Sequence, residues 1–543
     1  MAGFVNLYET LKKVAKKGWV RWVLGLVAVW FFSVGIVYYW RVVYSFAVFT
    51  PVVATLGAVV AFTLAYAGFF VADTLAKEKL ALKSAILIFV AGLLFVFVDP
   101  PLQAPDETFH FLRSYAMGSG HFNYNQQEIY PEDVNLLFSE FPAYYNHYYP
   151  AGGGNTIAGQ FSSYYTKLND GAKPSKTAST FVQLTLPYLP QAFGVFLGRL
   201  FGADALICLY LARIINLLVY TLLCYAALHF AEQYKKLFVV LMLCPITIFM
   251  ASSVSYDAML TGLLWIFIAL CTRQKLTGKQ VVVTALCFGI LAAVKNHFIM
   301  LLPLVLLLPK QEIPLGINKQ NEENKKRFQM RVPHILILCV IIGLAVWQLQ
   351  GLHVKYFSNF NDVPYFHDAI KPMEQLMYMF KYPVRYVLVF LGALYKSAFA
   401  LFEGGLLGTL DAHVTIVSYF TPLLFAFAAL LSAREGAKLK AKNGILYTIV
   451  AALIYGAVYT GMYLTSTGVL IPHINGVQMR YLLPAFFCML VLLSALFAKV
   501  QPLQKAELTK KQEIKQDNIV LYSSYVFAVC AAMLLFQLYY VGA

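Results

Sequence analysis

The stretch VDPPLQAPDETFHFLRSY, from Val98 to Tyr115, begins where a long apolar run, Leu82 to Val98, ends. Three acidic residues fall within nine positions of this stretch, and a histidine and an arginine follow them. The ionisable residues are Asp99, Asp106, Glu107, His110 and Arg113. Ionisable groups clustered where a helix leaves the membrane mark the expected place for chemistry in a membrane protein.

Composition indicates that the rest of the chain is largely membrane helix. The chain has 543 residues, of which 60% are hydrophobic and 13% are charged, whereas soluble domains are about half apolar and a quarter charged. A spanning helix needs roughly 20 apolar residues, and more than a dozen runs approach that length. We therefore predict an all-α polytopic membrane protein of about 13 transmembrane helices with its N-terminus inside.

The net charge of +16 does not indicate nucleic-acid binding, because the basic residues lie in short segments between apolar runs. These segments are Lys12–Lys17, Lys77–Lys83, Lys325–Arg327, Lys438–Lys442 and Lys505–Lys515. This is the positive-inside pattern, which makes anionic membrane lipids the expected partner and nucleic acid an excluded one. All eight cysteines lie in apolar runs or at their ends, so we predict core residues rather than disulfides or zinc ligands.

The basic segments also predict the topology. Residues 1–82 would hold a cytoplasmic amphipathic segment and two spans, residues 83–500 the main transmembrane domain, and residues 501–543 a basic loop and the last span. Three crossings from an inside start place Asp99 outside, at the head of a long outer loop, 99–180. The apolar runs 181–201 and 385–403 are predicted to be re-entrant or interfacial helices, because full crossings would put the later basic clusters outside.

This topology brings several polar segments that are distant in sequence to the outer face. Besides the opening cluster they contain Asp257, Lys295, His297, Asp411, Gln478, Arg480 and Tyr481. Their shared side predicts a single outward-facing cavity. Arg213 is different, because it lies in the middle of an apolar run and therefore needs an acidic or polar partner or a wet cavity.

Each candidate residue also has a structural interpretation. Asp106 and Glu107 either cap the helix that begins near Thr108 or act in catalysis. Arg113 either pairs with one of these acids or binds phosphate. Lys295 either extends to lipid headgroups or binds a phosphate. Asp99 either only ends its span or belongs to the site, and Asp257 either has a structural role at a span boundary or belongs to the site.

The motifs of nucleotide-driven and common hydrolytic enzymes are absent from the sequence. It contains no P-loop, no dinucleotide-binding glycine turn, no H-E-x-x-H and no G-x-S-x-G. Carboxylates together with cationic groups at an outer membrane surface suit a lipid-phosphate substrate instead. A carboxylate can take a proton from an acceptor hydroxyl, and Arg and Lys can hold the phosphate that leaves.

These motifs resemble those of the DUF2142 family of bacterial multi-pass membrane proteins, which is related to the GT-C glycosyltransferases. The resemblance covers about residues 100 to 490, and the segments that carry it follow the order of the family. They are Asp99–Gly120, Leu186–Gly202, Leu211–Leu218, Ser253–Leu260, Ala292–Phe298, Leu407–Asp411 and Gly476–Pro484. Two positions depart from the family pattern, Thr108 after the acidic pair and Met479 between Gln478 and Arg480.

The resemblance implies a GT-C-like core in the bacterial cytoplasmic membrane with its active site on the outer face. It implies inverting transfer of a sugar from a polyprenyl-phosphate donor to a glycan acceptor of the cell surface or cell wall. Asp106 or Glu107 would be the base, and Arg480, with Lys295 or Arg113, would stabilise the leaving phosphate. Asp99 with Asp106 would be the pair to hold a divalent metal, but we predict none. The alternative function is a lipid-linked glycan flippase, polymerase or transporter.

Overall fold

The computed structural model of the chain describes residues 18–44, 51–76, 78–122, 130–141, 157–170, 185–308, 313–314, 329–330, 332–357, 370–400, 406–407, 412–413, 415–500 and 509–541. Most of these residues are helical, which confirms the all-α prediction. Strands in this part of the chain are limited to two antiparallel pairs of two residues each.

The helices follow one another along the whole described chain. In the first half they are α1 (Gly18–Tyr44), α2 (Pro51–Ala76), α3 (Leu80–Val98), α4 (Glu107–Gly118), α5 (Glu132–Glu140), α6 (Ile157–Asn169), α7 (Leu189–Leu200), α8 (Ala205–Phe230), α9 (Lys235–Met242), α10 (Pro245–Ala251) and α11 (Asp257–Cys271). In the second half they are α12 (Gly278–Val294), α13 (Val332–Phe357), α14 (Pro372–Lys381), α15 (Pro383–Ala400), α16 (Thr415–Leu431), α17 (Ala433–Ala437), α18 (Ala441–Thr465), α19 (Leu483–Val500) and α20 (Lys510–Phe536).

Short elements of other types complete the architecture. Within the described residues, three 3₁₀ helices span Leu186–Tyr188, Asn296–Leu307 and Met479–Leu482, and a π-helical turn, Gln537–Val541, follows α20. The strand pairs are β1 (Ile313–Pro314) with β2 (Gln329–Met330) and β3 (Leu406–Leu407) with β4 (Ala412–His413).

Seven of the described helices are long and apolar enough to cross a membrane, and six shorter apolar helices accompany them. The seven are α1, α2, α3, α8, α18, α19 with the 3₁₀ turn before it, and α20 with the π turn after it. The count of about 13 crossings and the GT-C-like core stay predictions. In the run 181–201, described from residue 185, α7 has 12 residues and rises only about 18 Å, less than the roughly 30 Å hydrocarbon core.

One long apolar run of the sequence, residues 237–254, is divided in the structure. Residues 237–254 are continuous apolar sequence, but α9 ends at Met242 and α10 begins at Pro245. Proline has no N–H to donate and is favoured in the first turn of a helix, so it starts a new helix here instead of continuing α9. Both short helices are almost entirely buried among the others. The apolar pattern alone could not indicate the break, since both halves are equally hydrophobic.

Helix α8 forms the centre of the domain, where it packs against α3, α7 and α11. It begins at Ala205 because the Asp204 side chain accepts a hydrogen bond from the Ile207 amide at 3.0 Å, a standard N-cap. Its contact with α7 is close at Gly194, where an added Cβ would lie 2.6 Å from the Ala212 Cα and 2.7 Å from the Ala212 nitrogen. The two helix backbones can approach this closely only because residue 194 has no side chain.

We therefore expect Gly194→Ala to lower the midpoint of thermal unfolding of the detergent-purified protein, with a loss of about 1–3 kcal/mol from overpacking. The obstacle is main chain, which cannot rotate away as a side chain can. Gly392→Ala is the matched control, because it lies in α15 with nothing within 4 Å of the added methyl group. An unchanged midpoint for Gly194→Ala would contradict the close packing of α7 on α8.

The basic and the acidic clusters lie at opposite ends of the same helices. Near its start, α3 carries Lys83, whose ammonium contacts Asp73 at 3.5 Å and the Asn518 side chain at 3.3 Å, and it ends beside Asp99. Likewise, α11 begins at Asp257, and just beyond its end Arg273 forms an ion pair with Glu232 at 2.7 Å. The Lys83–Asp73 and Arg273–Glu232 pairs thus lie at one end of these helices, and Asp99 and Asp257 lie at the other end.

Candidate functional site

A fully buried arginine on α8 holds the segment that follows α3. The Nε of Arg213 donates to Glu107 Oε1 at 2.8 Å, and its Nη2 donates to Glu107 Oε2 and, at 3.1 Å, to Asp99 Oδ2. Its guanidinium also donates to the carbonyl oxygens of Val96, Asp99 and Pro100 at 3.1, 2.7 and 3.0 Å. Of the options that the sequence left open for this charge, the structure therefore shows an acidic partner, Glu107 together with Asp99.

The same carboxylate also fixes the loop before α11. Glu107 Oε1 accepts a hydrogen bond from the Val254 amide at 2.8 Å. Asn216, which lies one turn beyond Arg213 on α8, donates to the carbonyl oxygens of Ser253 and Ser255, both at 2.8 Å. These bonds place Asp257, at the first turn of α11, next to the segment that carries the opening acidic cluster.

Asp257 joins two cations from distant parts of the chain. Its Oδ1 pairs with the Lys295 ammonium, and its Oδ2 lies 3.2 Å from Arg480 Nε. Arg480 Nη2 lies 3.9 Å from Asp106 Oδ2 and 3.3 Å from the Tyr481 hydroxyl. The structure therefore brings together four residues predicted for one site, namely Asp106, Asp257, Lys295 and Arg480, from four segments of the sequence.

The adjacent acids Asp106 and Glu107 have different environments. Glu107 is buried against Arg213, whereas the side chain of Asp106 is 43% exposed. Asp106 adopts a left-handed backbone conformation, with φ of 61°, and its side chain makes no capping hydrogen bond to α4. Helix capping therefore does not account for Asp106. Of the two carboxylates, Asp106 alone faces the open side of the site.

Aromatic rings surround the cations. The Lys295 ammonium lies 4.9 Å from the centre of the Tyr256 ring and 4.6 Å from that of Tyr481, distances that favour cation–π attraction. Burial lowers the pKa of Lys295, but Asp257 raises it, and the net pKa lies above the usual value. Lys295 therefore stays protonated and keeps its positive charge in the site.

His110 contributes a neutral ring. Its Nδ1 lies 2.8 Å from the Tyr188 hydroxyl, and its ring packs edge-on against Tyr256 with centroids 4.8 Å apart. Burial lowers the pKa of His110 to about 4, although Asp106 and Asp257 act in the opposite direction. Because this pKa lies far below neutrality, His110 can exchange hydrogen bonds but does not supply a charge to bind phosphate.

The depressed pKa of His110 predicts a loss of stability in acid. An unfolded histidine titrates near 6.5, so between that pH and about 4 the unfolded chain binds more protons than the folded one. As the pH is lowered through this window, the free energy of unfolding should therefore decrease, by on the order of 3 kcal/mol for this residue. Thermal unfolding at pH 7 and pH 4.5 measures the fall. His110→Gln, which cannot titrate, should show a smaller fall, and equal falls would contradict the prediction.

A mostly apolar cavity of about 390 Å³ opens beside the cations. Lys295, His297 and Tyr481 lie on its polar side, and α18 supplies its apolar side with Val458 and Met462. The Nε2 atom of His297 is buried and forms no hydrogen bond with the described residues. The cavity therefore joins a hydrophobic groove to the charged centre.

Several residues predicted for the site lie elsewhere. The Nη2 of Arg113 donates to the Phe122 carbonyl at 2.7 Å, and its side chain is fully buried, so Arg113 does not join the cations. Asp99 and Glu107 are engaged by Arg213, which removes Asp99 from the suggested metal pair. Among the described residues no three His, Cys, Asp or Glu side chains form a metal-binding group. Asp411 lies outside the described residues.

Sequence reasoning missed the residues that position the site. Tyr188, Tyr256 and Asn216 each contact a site residue or the loop that carries one, and none was a candidate. A partial signal was present, because Arg213 and Asn216 are three apart on one helix and so share a face. Gln478 precedes the 3₁₀ turn that carries Arg480, and its Oε1 is buried without a hydrogen bond from the described residues.

Comparison with known proteins supports the family. The family model described as "Predicted membrane protein (DUF2142)" matches residues 89–490, which is more than half of the 543 residues. No curated protein and no solved structure matches the chain. The matched region contains the whole charged centre, from Asp106 to Arg480. The protein therefore belongs to the DUF2142 family of predicted membrane proteins.

Proposed function

We propose that the protein is a membrane glycosyltransferase that moves a sugar from a polyprenyl-phosphate donor to a glycan acceptor on the outer face of the bacterial cell membrane. The observation that carries this proposal is the grouping of Arg480 and Lys295 around one buried carboxylate, Asp257, beside the exposed carboxylate of Asp106. This grouping offers a phosphate site with a base beside it.

The charge balance supports phosphate as the ligand. Two cations, Lys295 and Arg480, face a single buried anion, Asp257, so one positive charge is left with only the more distant Asp106 at the rim. A buried charge without a matching partner is costly. A phosphodiester brings one negative charge and oxygen acceptors that suit the planar guanidinium.

The cavity supports a lipid carrier. Its wall from α18 is apolar, and its other wall comes from the 3₁₀ helix Asn296–Leu307, which begins beside Lys295. A polyprenyl chain can lie along such a wall while its phosphate reaches the cations, because apolar groups bind apolar surface and charged groups bind the charged end. Anionic lipids would associate with the basic residues at the opposite end of the helices.

In the proposed reaction Asp106 takes the proton of an acceptor hydroxyl. The acceptor oxygen forms a bond to the anomeric carbon, and the bond from that carbon to the phosphate oxygen breaks. Polyprenyl phosphate leaves with the bonding electron pair, and Arg480 and Lys295 stabilise the charge that develops on it. Attack opposite the leaving group inverts the anomeric configuration, through an oxocarbenium-like transition state.

Purified protein in lipid nanodiscs, supplied with a polyprenyl-phosphate sugar and a glycan acceptor, tests the proposal. We expect acceptor-dependent release of polyprenyl phosphate and a glycosylated product. Movement of the lipid between the leaflets of a proteoliposome without product would instead show a flippase or transporter. The pairing of Arg213 argues against that alternative, because this buried charge on α8 is engaged by Glu107 and Asp99 and does not line a transport path.

A further inference from the structure

We infer that Arg213 is a positioning residue, which sets the two acids of the site, Asp106 and Asp257, through one buried hydrogen-bond network. The inference rests on the proposed function, since it assigns a role in that same reaction. Arg213 touches neither acid and acts through Glu107 and the backbone. Its three nitrogens all donate, and every acceptor lies between Val96 and Glu107.

The first branch of the network reaches Asp106. The guanidinium holds the chain before Asp106 through the carbonyl oxygens of Asp99 and Pro100. It holds the residue after Asp106, Glu107, through both carboxylate oxygens. Asp106 lies between these fixed points with φ of 61°, a left-handed conformation that costs a residue with a side chain about 1 kcal/mol or more. Such a conformation persists where the neighbouring contacts determine it, and Glu107 is the adjacent contact.

The second branch reaches Asp257. Glu107 Oε1, already bound to Arg213, accepts the Val254 amide at 2.8 Å. Asn216, on the same face of α8, holds the carbonyl oxygens of Ser253 and Ser255. One face of α8 thus fixes two segments. The first carries the proposed base, Asp106, and the second is the loop before Asp257, the carboxylate that binds both cations.

A stabilising role alone does not explain this arrangement. A buried ion pair contributes little to stability compared with apolar residues of similar volume, because desolvation offsets the attraction. Its bonds are directional, however, and a misplacement of about 1 Å at a reacting group can reduce a rate by about 10²-fold. The network therefore matches a requirement for geometry better than a requirement for stability.

The variant Arg213→Lys tests the inference, because lysine keeps the charge but loses the planar fork. We expect kcat to fall by about 10²-fold, while KM for the polyprenyl-phosphate sugar changes by less than about threefold because Lys295 and Arg480 are intact. The matched control is Arg199→Lys, which alters another arginine–carboxylate pair, to Asp133 at 2.6 Å, outside the charged centre. Its kcat should stay near the wild-type value.

A second measurement does not depend on turnover. A nitroxide attached to Asp106→Cys, in a chain whose exposed Cys530 is replaced by serine, should be immobilised and become mobile when Arg213→Lys is added. Two substitutions of Glu107 give a graded comparison of turnover. Glu107→Gln keeps one oxygen acceptor for the Arg213 guanidinium, so it should retain more turnover than Glu107→Ala, which keeps none. Both measurements use the full chain in nanodiscs, with thermal unfolding to report the folded fraction.

The outcomes separate this inference from the proposed function. A wild-type protein that releases no polyprenyl phosphate defeats the proposed function, and the nitroxide mobility then decides the structural part of the inference alone. If Arg213→Lys leaves both kcat and nitroxide mobility unchanged, Arg213 does not position the acids. If kcat falls only in proportion to the folded fraction, the residue is structural and the inference is overturned.

Discussion

Asp106→Asn is expected to reduce kcat for sugar transfer by about 10³-fold, within the range that a general base contributes. The asparagine amide has nearly the shape of the carboxylate, but it cannot take the proton from the hydroxyl group of the glycan acceptor. Because Asp106 is 43% exposed and its contact with Arg480 is long, at 3.9 Å, its replacement should leave the midpoint of thermal unfolding near the wild-type value. Release of polyprenyl phosphate by protein in nanodiscs measures the effect.

The neighbouring residue supplies the control for this prediction. Glu107→Gln also converts a carboxylate to an amide, one position away, but its side chain faces Arg213 and not the cavity. It should lower stability, since it weakens a buried charge-assisted pair, and should reduce kcat by no more than about tenfold. If Glu107→Gln abolishes transfer and Asp106→Asn leaves it intact, the assignment of the base is wrong.

Arg480→Gln is expected to lower kcat/KM for the donor by about 10²–10³-fold, the loss seen when one donor to a developing negative charge is removed. Arg480 is nearly buried, and its nitrogens approach Asp257 at 3.2 Å and the Tyr481 hydroxyl at 3.3 Å. Its guanidinium is therefore held in position before the donor binds. Steady-state kinetics with varied donor concentration separates the loss in binding from the loss in rate.

Lys499→Gln is the matched control for Arg480→Gln. Both variants remove one positive charge, and Lys499 is exposed in the last turn of α19, the helix that Arg480 precedes. Donor kinetics of Lys499→Gln should match the wild type, because this charge is at the far end of the helix. Equal losses in the two variants would indicate an effect of net charge and would contradict a phosphate site at Arg480.

The sequence by itself determined the class of the protein and the segments that form the site. Apolar length and the distribution of lysine and arginine are local properties, so they predict membrane helices and the side on which each loop lies. These local properties alone place Asp106, Asp257, Lys295 and Arg480 on one face, and the contacts among the four residues agree with that placement. The need of Arg213 for a partner followed equally from its apolar neighbours.

Only the tertiary structure decided what each of these residues contacts. Asp106 and Glu107 are neighbours with the same chemistry, and the difference between them arises because Arg213, 106 positions from Glu107, meets one of them. Lys295 and Arg113 were alternative partners for Arg480 at the phosphate, and packing turned Arg113 toward the Phe122 carbonyl. Such choices depend on contacts between segments far apart in the chain, which the local pattern of hydrophobic and charged residues does not contain. The stretch Val98–Tyr115 therefore predicted where the chemistry would be, and the packing of α8 against it determined which acid stays exposed beside the cations.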